Sequence, residues 1–245
     1  MILRSVIKHV RDQNWFAVGL DFLIVVVGVF IGIQVANWNE VRLERQVESV
    51  YLSDLQQDFE RNLDLLEERE QSLTGIIDAM QELLAETRLA QPQRSVPELN
   101  DLFNEVLAMP TFHWVSRTYE NLTGSGELRL IRSRPIQSAL AEAHRTMQVI
   151  GMVQATHEQQ LVETFQPYVI ENMDYVAVHL DRLDGEFTLP AAERPALILE
   201  LMTDLEFQNV LVQKWTICTD LLNQVRQMKV SSRALLDLID KEIGS

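Results

Sequence analysis

Residues 16–36 read FAVGLDFLIVVVGVFIGIQVA, and Asp21 is the only charge in the run. As a helix rising 1.5 Å per residue, such a run covers roughly 30 Å, the thickness of a bilayer's hydrocarbon core. Trp15 and Trp38 bracket it, where indole rings favour the headgroup region. The expectation is a transmembrane helix over 15–38. A cleaved signal peptide has a shorter apolar core, about 7–15 residues, ending in small residues. A cut after Ala36 would leave Gln34 in a position that wants a small side chain, so the segment is expected to remain as an anchor.

Charge is divided unevenly along the chain. The formal net charge is −15, yet residues 1–38 hold Arg4, Lys8 and Arg11 against only Asp12 and Asp21. The acidic excess therefore lies wholly beyond the apolar run. An acidic body disfavours nucleic acid, whose binding needs cations to displace phosphate counterions, and it repels anionic lipid headgroups. Arg4, Lys8 and Arg11 before the span outnumber Arg42 and Arg45 after it. With the terminal amine, the positive-inside rule orients the N-terminus to the cytoplasm. In a bacterium this means an inner-membrane protein with a periplasmic domain. Ile2, Leu3, Val6, Ile7 and Val10 recur between the cations, which suggests a basic amphipathic helix over 1–14 lying on the inner leaflet; a plain N-terminal extension is the alternative.

Beyond the span, nine Gly and seven Pro in the whole chain favour long helices, and residues 39–245 are expected to be all-α. Leu52, Leu55, Phe59, Asn62, Leu66, Arg69, Leu73, Ile76, Met80 and Leu83 step by three and four, a heptad seam broken by Asn62 and Arg69. Two prolines over 91–97 end this helix, and a short helix over 97–108 follows. Ser133 and Pro135 open a second long helix with Ile136, Leu140, Ala143, Met147, Ile150, Gln154, His157 and Leu161 on one face. Pro167 kinks or ends it; 168–184 reads as a further helical piece, 185–190 as a loop and 192–202 as a short helix. Thr203 or Asp204 caps a third long helix carrying Leu211, Trp215, Cys218, Leu222, Val225, Leu236, Ile239 and Ile243. The span is thus expected to continue into an elongated antiparallel bundle. Its first helix would leave the membrane, the second return and the third leave again.

Gly28, Gly32 and Ala36 lie on one stripe, and Asp21 falls on the same stripe seven residues before Gly28. Small residues at this spacing let helix backbones approach, so these four positions are the expected helix-pairing face. Asp21 reads either as a carboxylate held at the interface or as an intramembrane functional group. Residues 112–131 are the least regular stretch. Phe112, His113, Trp114, Arg117, Tyr119 and Arg129 form a candidate surface for a partner or ligand; alternatively Phe112, Trp114, Tyr119 and Leu122 plug the membrane-distal end of the bundle. Arg69 and Arg117 are possible anion contacts, or else buried or paired structural arginines.

No cofactor, metal or catalytic site is expected. The five histidines match no metal-binding spacing. His144 with Glu142 and His157 with Gln154 read as seam pairs that could form a polar layer. The lone Cys218 reads as a small core residue, an intermolecular disulfide being the minor alternative. The Gly124-Ser125-Gly126 turn lacks the frame of a nucleophile elbow.

The opening LRSVIKHVRDQNWFAVGLDFLIVVVGVFIGIQVANWNE resembles the start of a family of uncharacterised bacterial, mostly proteobacterial, membrane proteins known only as a domain of unknown function. Arg117-Thr118-Tyr119-Glu120-Asn121-Leu122, Ser125-Gly126 and Leu128-Arg129-Leu130-Ile131 resemble its central motif. The resemblance implies one N-terminal anchor, a helical domain and no assigned activity. The functional expectation is a membrane-anchored assembly or accessory protein that oligomerises or joins a larger membrane complex. An extracytoplasmic ligand sensor acting through a partner is the alternative, and an enzyme with an unfamiliar site is the least supported class.

Overall fold

In the computed structural model the chain is described over residues 15–109, 111, 113–173 and 197–244. It is 87% helical without strands among these residues, so the all-α expectation holds. The elements are α1 (Trp15–Glu86), α2 (Val96–Leu107), α3 (Arg117–Gly124), a 3-10 turn (Glu127–Leu130), α4 (Arg134–Gln160), a π-turn (Leu161–Phe165), α5 (Gln166–Asn172), α6 (Leu197–Leu201) and α7 (Leu205–Ile243). The readings at 1–14, 174–196 and Phe112 lie outside the described residues.

By its contacts the chain divides into two units, Met1–Tyr51 and Leu52–Ser245. The first contains the apolar run, a stretch of α1 long and apolar enough to cross a membrane. From Gly19 onward, none of the described residues of that run is buried against protein.

In the second unit all ten seam residues from Leu52 to Leu83 are buried, Asn62 and Arg69 included. The seam of α4 is nearly as well anticipated: Ile136, Leu140, Ala143, Ile150, His157 and Leu161 are buried. In α7, Leu211, Cys218, Leu222, Val225 and Ile239 of the expected stripe are buried, while Trp215 and Leu236 are half-buried. Leu235 is buried where Leu236 was expected, Ile243 is exposed, and Lys214, Lys229 and Ser232 join the buried face.

Residue pairings correct the expected course of the chain. Along α1 and α7, Gln56 meets Asp240, Glu67 meets Lys229 and Glu70 meets Arg226, so these two helices run in opposite directions. His157 of α4 meets Cys218 of α7, while Tyr168 meets Asp204, again opposite. Leu55 and Phe59 share a groove with Leu140 and Ala143, whereas Arg69 lies near Glu158. Helices α1 and α4 therefore run the same way, and the second long helix does not return along the first. The return is made by the connector. Arg94 pairs with Glu82, Glu105 approaches Gly75, Val115 meets Asn62, and Thr118 meets Asp58.

Local chemistry fixes the ends of these elements. Ser95 and Glu98 form a capping box before α2, with Pro97 in its first turn. Asp204 caps α7, its Oδ1 accepting from the Glu206 N–H at 3.0 Å. Pro167 neither ends the helix nor kinks it alone. The chain widens into the π-turn, where Gln166 N–H reaches the Leu161 carbonyl. The turn contains Glu163, the residue whose carbonyl the Pro167 ring would otherwise meet. Gly126, at φ 72°, adopts the left-handed conformation that a side chain would disfavour.

Candidate functional site

Three regions carry the sequence-derived candidates. The first is the face of α1 in the first unit. Asp21, Gly28, Gly32 and Ala36 are all exposed, and a Cβ built on Gly28 or Gly32 meets nothing within 4 Å. The four positions share a stripe by helical geometry. The same stripe continues through Leu43, Val47 and Val50, and Val50 is 60% exposed. That continuation was not read from the sequence, although its three- and four-residue steps were available there.

The second region is the segment after α2. Asn62, a polar break in the first seam, makes two hydrogen bonds of 2.8 Å: its Nδ2 donates to the Val115 carbonyl, and its Oδ1 accepts from Val115 N–H. Asp58 Oδ2 accepts from Thr118 N–H at 3.0 Å, supplying from α1 a partner for the free start of α3. Trp114 stands edge-on to Phe59 with centroids 5.6 Å apart. Tyr119 lies against His144 at 4.9 Å. Asp58, Phe59, Trp114, Tyr119 and His144 border a shallow groove with Ser116 and Leu140. Of the expected surface, Trp114 and Tyr119 are half-buried while His113, Arg117 and Arg129 are exposed. Trp114 and Tyr119 do not plug the far end: Trp114 packs on Phe59 and Tyr119 on His144, well before the Leu83 end of the seam.

The third region is an interior polar layer where α1, α4 and α7 meet. Arg69, His157 and Lys214 are each only 4% exposed. Cys218 is fully buried, with Sγ 4.0 Å from His157 Nε2. The expected seam pairs are rearranged. Gln154 donates to Glu158 at 3.0 Å instead of meeting His157. His144 meets Gln148 at 3.1 Å, while Glu142 pairs with Arg145. Burial, reinforced by the positive charges of Lys214 and Arg69, holds the His157 imidazole down to about 4, so it is neutral at pH 7. Burial raises the Cys218 thiol, with Lys214 and Arg69 opposing the rise.

Lys214 shows how tertiary contact rescues a buried charge. Its Nζ donates to the carbonyls of Val106 and Ala108, and it sits 4.7 Å above the centre of the Phe165 ring. Helix α2 has no basic residue in its own last turn, and Lys214 supplies that cation from α7. Burial lowers its ammonium to about 8. Arg69 is treated differently. Its Nε and Nη1 are buried without a hydrogen-bond partner. A buried ion left without its counterpart costs several kcal/mol. Among the described residues no cluster of three metal-ligating side chains occurs.

No family model, curated protein or solved structure matches this chain. Its functional reading therefore rests on the three regions themselves.

Proposed function

We propose that the chain is a membrane-anchored assembly protein that pairs, with itself or with a larger membrane complex, through the stripe running from Asp21 to Val50. In this reading the apolar run spans a bacterial inner membrane with the N-terminus in the cytoplasm, and the second unit is a periplasmic helical bundle. The supporting observation is the contrast in burial. Large apolar side chains from Leu20 to Val50 stand open, Phe22 at 70%, whereas the seam of the second unit is consumed internally. Lipid accounts for openness within the hydrocarbon layer. It does not account for Leu43, Val47 and Val50, which continue the stripe beyond Trp38 and would face water unless covered. Gly28, Gly32 and Ala36 let two backbones approach within the lipid. Pairing falls to this stripe rather than to the heptad seam, which has no free face left.

Alkaline carbonate extraction combined with crosslinking in native membranes tests the reading. The full chain should remain in the membrane fraction and yield a discrete crosslinked species. Gly28→Ile with Gly32→Ile should abolish that species while leaving the protein membrane-bound. Release by carbonate, or monomer alone with no partner, removes the proposal.

A further inference from the structure

We infer that Arg69 is the binding group of an internal site for one small monovalent anion, a halide or a small carboxylate, in the layer where α1, α4 and α7 meet.

The buried cations of the second unit differ in whether their charge is answered. Lys214 has two carbonyls and an aromatic face. Lys229 lies between Glu67 and Glu70. Arg69 alone among these buried cations has donor atoms without partners, and it is 4% exposed. Its two bare nitrogens lie on different edges of the guanidinium, since Nε pairs with Nη2 on one fork and Nη1 pairs with Nη2 on the other. Neither bidentate edge is therefore filled, and such an edge is shaped for an anion.

The surrounding groups set the charge of the ligand. His157 is neutral, and Cys218 is held towards its thiol form by burial. Glu158 is the nearby carboxylate, but it is only half-buried and already accepts the Gln154 amide. Lys214 and Arg69 carry two positive charges against that one negative charge. A single monovalent anion balances the layer, whereas a divalent one overshoots it. Full burial of the neighbouring Cys218 and near-full burial of His157 restrict the ligand to a few atoms.

The test uses the purified full chain in mild detergent. Sodium gluconate, too bulky for the layer, is replaced stepwise by chloride or by formate at constant ionic strength, and melting is followed by circular dichroism. The expected result is a saturable rise in melting temperature of about 5 °C with one of the two anions. Whichever of the two produces the rise distinguishes a halide from a carboxylate ligand. Arg69→Met, which removes the charge and keeps an apolar stem, should fold and show no response. A flat wild-type curve overturns the inference. So does a response that persists in Arg69→Met. A flat wild type with a responsive Glu158→Gln variant would show that Glu158 itself answers Arg69, and would also overturn it.

Discussion

Two stretches of one helix behave in opposite ways. Over residues 52–83 of α1 every third or fourth residue is buried, from Leu52 through Leu83. Over residues 20–50 of the same helix, Phe22, Phe30, Leu43 and Val50 stand exposed. They differ in amount of apolar surface, since residues 52–83 interleave Leu with many Asp, Glu and Gln and hold no Val, and they differ in its arrangement. The distal stretch concentrates its apolar residues on one face, which a protein neighbour can cover. The proximal stretch is apolar on nearly every side within the run that ends at Ala36, which suits apolar surroundings on all sides. A helix that is oily on every side suits surroundings that are apolar all round, and one that is oily on a stripe suits a protein neighbour on that side.

The sharpest way to break this comparison is to truncate both stretches equally. Leu66→Ala, at a fully buried site, should destabilise the second unit by about 2–5 kcal/mol in urea unfolding. Ile24→Ala, on the open stretch, should leave that unit's transition unchanged. Equal losses would contradict the assignment of the two faces.

Acid should probe the interior layer next. The unfolded chain protonates His157 near 6.5, the folded chain only near 4. Stability from this group is complete above 6.5 and declines as pH falls towards 4, because the unfolded state then binds the extra proton. The full loss is about 3 kcal/mol. Glu70, whose carboxylate is held below its ordinary value by Lys229 and Arg226, loses its stabilisation only at lower pH, below about 4.5. Unfolding measured from pH 7 to 4.5 should therefore slope in the wild type and flatten in His157→Met.

A smaller effect is expected at the join between α1 and the connector. Asn62→Ala leaves both polar groups of the Val115 backbone without their partner and should cost about 1–3 kcal/mol. Tryptophan fluorescence should report it through Trp114, which packs on Phe59 nearby. The smallest stability change belongs to Leu43→Gln with Val50→Gln on the open stripe. Each should alter unfolding by less than about 0.5 kcal/mol while reducing crosslinking in membranes. A large loss of stability there would show that the stripe is packed internally.

Much of this is legible in the sequence alone. The apolar run, the ten buried positions of the first seam, the breaks near residues 91–97, the start of α4 at Ser133 and the cap at Asp204 follow from periodicity and capping. These signals are local, since a residue and its neighbours within one or two turns set them. Asn62 and Arg69 were visible as polar breaks, and Arg69 as a possible anion contact. Lys214 was missed because nothing near it in sequence explains a buried ammonium; its partners at Val106 and Ala108 are over a hundred residues away.

The tertiary structure alone decided the direction of α4. Three amphipathic helices joined by short loops would alternate, and the sequence contains no mark that the 87–133 connector itself makes the return. That course is fixed by pairs distant in sequence, such as Asp58 with Thr118 and Asn62 with Val115. It also decided which polar seam residues are answered. Helical phase tells a side chain which face it occupies, but only the packing of other helices against that face supplies the partner, or leaves Arg69 without one.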